Sequence, residues 1–145
     1  MSGIVCAVRG GPDSQPTINR AIMLAKETDL PLFLLYVVNL EFLDRTASSR
    51  TQTISKEMAQ MGEFILLTAQ AKAQAEGIQA QGVIRHGHVA EEIVALCHEV
   101  SAAYLVIGQP QFHKEDNVFT TALHQEFIQR IEAQTGAKVV LPQEL

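Results

Sequence analysis

The apolar residues of this chain change their spacing repeatedly from one end to the other. "GIVCAV" at 3–8 is an unbroken apolar run of strand length. "LFLLYVV" at 32–38 is a second, bounded by Pro31 and Asn39. Continuous runs of this kind are what strands covered on both faces require, whereas a strand with one wet face alternates. Between them Ile18, Ala21, Ile22 and Ala25 recur at helical spacing behind a start signal of Ser14 and Pro16. The pattern next predicts a long helix over 54–76, with Ile54, Met58, Met61, Ile65 and Ala69 on one face and Gly77 as its stop. "IQAQGVIR" at 78–85 reads as a strand weakened by Gly82. Val89, Ile93, Leu96, Cys97 and Val100 form the stripe of a helix over 89–101, and "YLVIG" at 104–108 is a fourth strand. Phe119, Leu123, Phe127 and Ile131 mark a last helix closed by Gly136, and "KVVL" at 138–141 is a fifth strand. Residues 39–53 and 109–118 are polar without a period and read as connections.

Strands alternating with helices in this way predict one α/β domain over 1–145, an open five-stranded parallel sheet with right-handed crossovers and helices on both faces. Such sheets bind ligands beyond the C-terminal strand ends, where the strand order reverses. Composition narrows the partners. A net charge of −5 with no basic block argues against nucleic acid. No apolar run approaches membrane-spanning length and no secretory leader pattern is present, so a cytoplasmic protein without a membrane partner is expected. Cys6 and Cys97 lie inside apparent core elements and read as buried thiols, not as a disulfide framework.

The sharpest candidate chemistry is Arg9-Gly10-Gly11, between the first strand and the Ser14 helix start. Arg9 there can meet an anion beside a helix N-terminus, or the glycines simply make the turn while Arg9 pairs with Asp13. Arg85-His86-Gly87-His88 offers Arg85 as a second anion contact. The two histidines have no third ligand at convincing spacing, so solvated loop histidines and no metal are expected. His113, Lys114, Glu115 and Asp116 read as a solvated loop cluster. Neither a nucleophile elbow nor a Walker-type phosphate loop is present, and Cys6 is too deep to be a nucleophile, so no catalytic residue is assigned. Met58 and Met61 read as core or dimer packing.

"IVCAVRGG", "LFLLYVV", "VIRHGHVAEEIVALCHEVSAAYLVIGQP" and "TGAKVVL" occur in an order and spacing that resembles the universal stress protein (UspA-like) family over nearly the whole chain. The pattern of Gly87, Glu91 and Ile93 followed by "AAYLVIG" carries much of that likeness. The resemblance implies strand order 3-2-1-4-5, a Rossmann-like sheet of the adenine nucleotide alpha hydrolase kind, and a homodimer. It implies an ATP-type crevice across the ends of strands 1 and 4. Ala7, Val8, Arg9 and Gly10 would line one wall, Ile107, Gly108 and Gln109 the other. Val38 would present backbone to the base, Gly87 would lie on the sugar side, and Arg85 would stand beside it. The sequence departs from the family's ATP motif. Arg9 stands where an aspartate is usual, Gly108 keeps the first glycine, Gln111 replaces the second, and Thr121-Ala122 falls near the final Gly-Ser pair. Pro110 supplies no N–H. What the resemblance implies is a non-catalytic stress-response module that signals to an unidentified protein partner and takes AMP, ATP weakly, or a smaller anion as its ligand. A ligand-free dimeric interaction module and a weak nucleotide hydrolase are the rival readings.

Overall fold

The computed structural model describes residues 2–8, 14–39, 50–108 and 118–142. Its elements run β1 (Gly3–Ala7), α1 (Ser14–Thr28), β2 (Leu32–Asn39), α2 (Arg50–Ala75), β3 (Ala80–Gly87), α3 (Val89–Glu99), β4 (Ala102–Val106), α4 (Val118–Thr135) and β5 (Lys138–Val140). The strands form one sheet in the order β3-β2-β1-β4-β5, and every pairing is parallel. This is the architecture that the apolar runs and the family likeness predicted.

Alternation along each strand sorts the core into two layers. Ile4, Cys6, Leu34, Tyr36, Val38 and Val106 pack under α1 and α2, against Ile18, Ala21, Ile22, Ala25, Leu66, Ala69 and Ala73. Val5, Leu35, Leu105 and Val139 pack on the other face, against Ile93, Leu96 and Cys97 of α3 and Ile131 of α4. Ile4, Val5 and Cys6 of β1 are all 0% exposed. A strand buried on both faces cannot show an apolar–polar alternation, which is why these stretches read as unbroken runs.

Each described helix stops at a residue in the left-handed region: Asp29 (φ 57), Gly77 (φ 82), Ser101 (φ 51) and Gly136 (φ 73). Gly77 and Gly136 were legible as stops. Asp29 and Ser101 were not, because left-handed backbone without glycine leaves little trace in a sequence. At Gly77 the N–H of Ile78 bonds the carbonyl of Ala73 at 2.9 Å, closing the helix end in the manner of a Schellman turn. α1 and α4 share a second device. Thr28 Oγ1 donates to Leu24 O and accepts from Leu30 N, and Thr135 Oγ1 does the same between Ile131 O and Ala137 N.

Several boundaries differ from the sequence reading. α2 begins at Arg50, inside the polar stretch read as a connection, since a helix end that does not cover the sheet needs no apolar period. β4 begins at Ala102, because Ser101 turns the chain directly from α3 into the strand. β3 runs to Gly87. Among side chains, Met61 departs most: it is 57% exposed, although its spacing from Met58 and Ile65 placed it on the core stripe. Gly62 explains this. A Cβ at Gly62 would lie inside the Tyr36 ring, so α2 meets β2 along Gly62, Leu66, Ala69 and Ala73 and turns Met61 outward. Val89 at the start of α3 is likewise exposed, at 39%.

Gly62→Ala is expected to cost about 1–3 kcal/mol by overpacking, with most of it recovered when Tyr36→Ala is added, read by urea unfolding. Ser101→Gly is expected to raise stability by on the order of 1 kcal/mol through relief of left-handed strain, measured the same way.

Candidate functional site

From β1 the chain steps to β2 and β3 on one side, then returns to place β4 and β5 on the other. The reversal lies between β1 and β4. The helices that follow β1 and β2 cover one face and those that follow β3 and β4 the other, so the strand ends between them are left as a crevice.

Cys6 pairs with Val106 in the β1–β4 ladder, and the residues that follow are Ala7 and Val8 on one strand, Ile107 and Gly108 on its neighbour. Main-chain bonding persists past the strand ends, from Val8 N to Leu35 O at 2.8 Å and from Ile107 N to Val140 O at 3.2 Å. The side chains here are not free to meet a ligand. Val8 is 5% exposed and Ile107 7%, in opposite core layers, and Val38 is 0% exposed. What these positions bring to the crevice is backbone.

Gly108 shows how close the first helix comes. A Cβ there would stand 3.0 Å from Thr17 Oγ1, so the start of α1 lies directly against the end of β4. Ser14 and Thr17 are both buried in that first turn. Among the described residues the turn carries no acidic side chain, and the dipole of a helix is positive at this end. Pro16 falls where the missing N–H is least costly. The sequence reading passed over Ser14 and Thr17 as site residues; Thr17, a hydroxyl set beside Ile18 in the apolar stripe, was the available signal.

Gly87 ends β3 opposite Asn39, the last residue of β2. Its φ of +152 belongs to glycine, and a Cβ there would meet Glu92 Oε2 at 2.9 Å. Glu92, in the first two turns of α3, was also missed. Arg85, offered by the sequence as a second anion contact, has an intramolecular partner. Its Nη2 donates to Glu99 Oε1 at 2.7 Å, and Glu92 adds a further negative charge nearby. The hydrogen bond holds the Glu99 carboxyl below its ordinary range and raises the guanidinium further. His86 and His88 are exposed, and His88 caps α3 without a side-chain capping bond. Among the described residues no group of three or more His, Cys, Asp or Glu side chains is arranged to hold a metal ion. Arg9, Gly10 and Gln109, together with Gln111, lie outside the described residues.

Neither cysteine is a nucleophile. Burial pushes the Cys6 thiol up to about 12 and the Cys97 thiol up to about 11, and Cys6 Sγ sits 4.0 Å from Thr17 O under the crevice floor. None of the described helices is long and apolar enough to cross a membrane.

A doubly wound parallel sheet with a backbone-lined crevice at its strand-order reversal belongs to the class of open α/β folds that hold small ligands at that point. Within that class, the universal stress protein family profile matches residues 1–118, and the chain belongs to that family. Solved structures agree on the fold. A protein of this family from Burkholderia pseudomallei superposes with a TM-score of 0.72 at 19% identity, over 97% of this chain and 94% of that one. A universal stress protein in complex with cAMP gives 0.67 at 20% identity, over 97% and 95%. The universal stress protein from Archaeoglobus fulgidus in complex with dAMP gives 0.62 at 17% identity, over 97% and 97%. No curated protein matches the chain.

The two thiols give stability a definite pH dependence. Their folded pKa values lie above the ordinary 9.0, so the folded chain keeps protons that the unfolded chain releases. This contribution is complete below pH 9 and is lost as pH rises toward 12, with a slope of up to about 1.4 kcal/mol per pH unit for each thiol. Urea midpoints taken from neutral to alkaline pH are expected to fall over that window, and the fall is expected to be shallower in Cys6→Ala.

Proposed function

We propose that residues 1–145 act as one universal stress protein domain that binds an adenine nucleotide without turning it over and passes its ligand state to a protein partner. The observation that carries the reading is the meeting of Gly108 with the first turn of α1 at the mouth of the β1–β4 crevice. The N-terminal turn of α1 stands there against the backbone of Gly108, and a helix N-terminus would suit one anionic group. Ala7, Val8, Ile107 and Gly108 would form the walls around it, Val38 would offer main chain to the base, and Gly87 would stand on the sugar side. Arg9 and Gly10, with Gln109 opposite, would complete the anion end.

The ligand this favours is a monophosphate such as AMP or a cyclic nucleotide in preference to ATP. Only Gly108 remains of the glycines that let backbone approach a triphosphate, and Gln111 carries a Cβ where the family pattern has none. The cAMP and dAMP complexes of two relatives support that class of ligand. The same departures from the ATP motif support a second reading, a ligand-free dimeric module regulating a partner. In either case the protein works in the cytoplasm as a homodimer.

Thermal unfolding with AMP, ADP, ATP and cyclic AMP separates these readings. A nucleotide at about 100 times its Kd contributes roughly 2.7 kcal/mol, a shift of several degrees in Tm. The expected outcome is a larger shift with AMP or cyclic AMP than with ATP, reduced in Arg9→Ala. No shift with any of the four leaves the ligand-free module, and phosphate release that tracks binding overturns the non-catalytic reading.

A further inference from the structure

The two sides of α1 differ in how their polar groups are met. Toward α2, Gln15 Oε1 accepts from Lys72 Nζ at 2.8 Å, and Lys26 Nζ meets Glu76 Oε2 at 3.0 Å. At about 100° per residue, Thr17, Arg20 and Leu24 fall on the opposite side, and Thr17 shows that this side lies against β4. Thr17 is 3% exposed, and a Cβ at Gly108 would stand 3.0 Å from its Oγ1. Thr28, Thr68 and Thr135 each return their hydroxyl to the carbonyl four residues back in their helix. Among the described residues, the Thr17 hydroxyl makes no hydrogen bond.

Arg20, one turn further on, repeats the pattern. It is half-buried, its Nε is buried without a hydrogen-bond partner, and among the described residues it enters no ion pair. Buried polar groups are normally paired, and one left alone costs free energy, more so where it carries charge. Two such groups stand on one side of one helix, within its first two turns and beside the end of β4. A partner that the chain does not itself supply accounts for both.

We infer that Thr17 and Arg20 hold an oxyanion, the phosphate of the ligand, between α1 and the end of β4. The inference rests on the nucleotide reading above and names the side chains that would grip the nucleotide's phosphate. A neutral ligand would satisfy the hydroxyl and leave the guanidinium unmatched, and a cation would oppose both the arginine and the helix dipole. A phosphoryl group meets every requirement. It accepts the Thr17 Oγ–H, takes charge-assisted hydrogen bonds from the guanidinium, and suits a helix N-terminus. Long side chains in a helix lean toward its N-terminus, which directs Arg20 back toward the turn that carries Thr17. Arg85 is engaged with Glu99, whereas the charge of Arg20 is not met by any described carboxylate. One hydroxyl and one guanidinium a single turn apart match one phosphoryl group, not a chain of three.

Calorimetric titration of the full chain with AMP and with inorganic phosphate, beside thermal unfolding without ligand, tests this. Thr17→Val keeps the shape of the side chain and removes the hydroxyl. It is expected to weaken AMP and phosphate binding about tenfold or more, while Thr17→Ser stays close to the wild type. Its Tm without ligand is expected to equal or exceed the wild-type value, since no described group of the fold partners the hydroxyl. Arg20→Met is expected to weaken both ligands likewise and to flatten the salt dependence of binding. A Thr17→Val protein that binds AMP as the wild type does overturns the phosphate subsite and leaves the nucleotide reading intact. A Thr17→Val protein that melts well below the wild type without ligand marks a structural hydroxyl and overturns the subsite too. Phosphate binding that Thr17→Val abolishes, in a wild type that takes no nucleotide, upholds the subsite and overturns the nucleotide reading. A wild type that binds neither AMP nor phosphate overturns both.

Discussion

The constraint on which this molecule depends is the double burial of β1. Five residues, Gly3–Ala7, pair on one side with β2 and on the other with β4, and Ile4, Val5 and Cys6 have no exposure to solvent on either face. A strand so placed needs parallel neighbours on both sides and a helix layer above and below, and right-handed crossovers then leave few ways to route the chain. The crevice is a by-product of that routing. β1 is where the chain first goes one way and later the other, and open sheets of this kind hold their ligands at that reversal.

The same burial decides what kind of chemistry the crevice can hold. Val8, Val38 and Ile107, at or just past their strand ends, have side chains committed to the core, so what these positions could offer a ligand is main chain. A backbone site has a weak sequence signature. Glycine is almost its only mark, since glycine is needed where a main chain must be approached closely or take an unusual φ. Gly87 and Gly108 are such marks and were legible. Thr17 was not, because a buried hydroxyl in a helical stripe looks like any other tolerated core threonine until its distance to the end of β4 is known.

Legibility across the fold follows the same physics. The buried strands announced themselves as unbroken apolar runs, and the stripe of α3 from Ile93 to Cys97 was plain in the spacing. The rotation of α2 was not, because it is set by Gly62 meeting Tyr36 across a long-range contact that no local period encodes. Met58, Met61 and Ile65 fit a helical stripe as well as Leu66, Ala69 and Ala73 do; only the tertiary contact chooses between them. Asp29 and Ser101 escaped for a related reason: their left-handed conformations are imposed by the strands that follow, against local preference.

Charge placement separates this chain's anion end from its edge strand. Arg85 is a cation close in sequence to Gly87, and on sequence alone it competes with Arg9 as an anion contact. In the folded chain its guanidinium bonds Glu99 and feels Glu92, both on α3, so its positive field is largely offset by the helix that follows its strand. An anion at the crevice would have to disrupt a charge-assisted hydrogen bond to recruit it, and would gain little in a surface setting where such pairs are weak and well solvated. Among the described residues the first turn of α1 carries no acidic side chain, and it faces the β4 end at Gly108. Helix N-terminal amides deliver a fixed, short-range positive potential that suits one compact anionic group better than a chain of three phosphates, which needs successive close approaches along a glycine-rich loop. The geometry at Gly108 and the loss of the later glycines thus both support the monophosphate ligand proposed above.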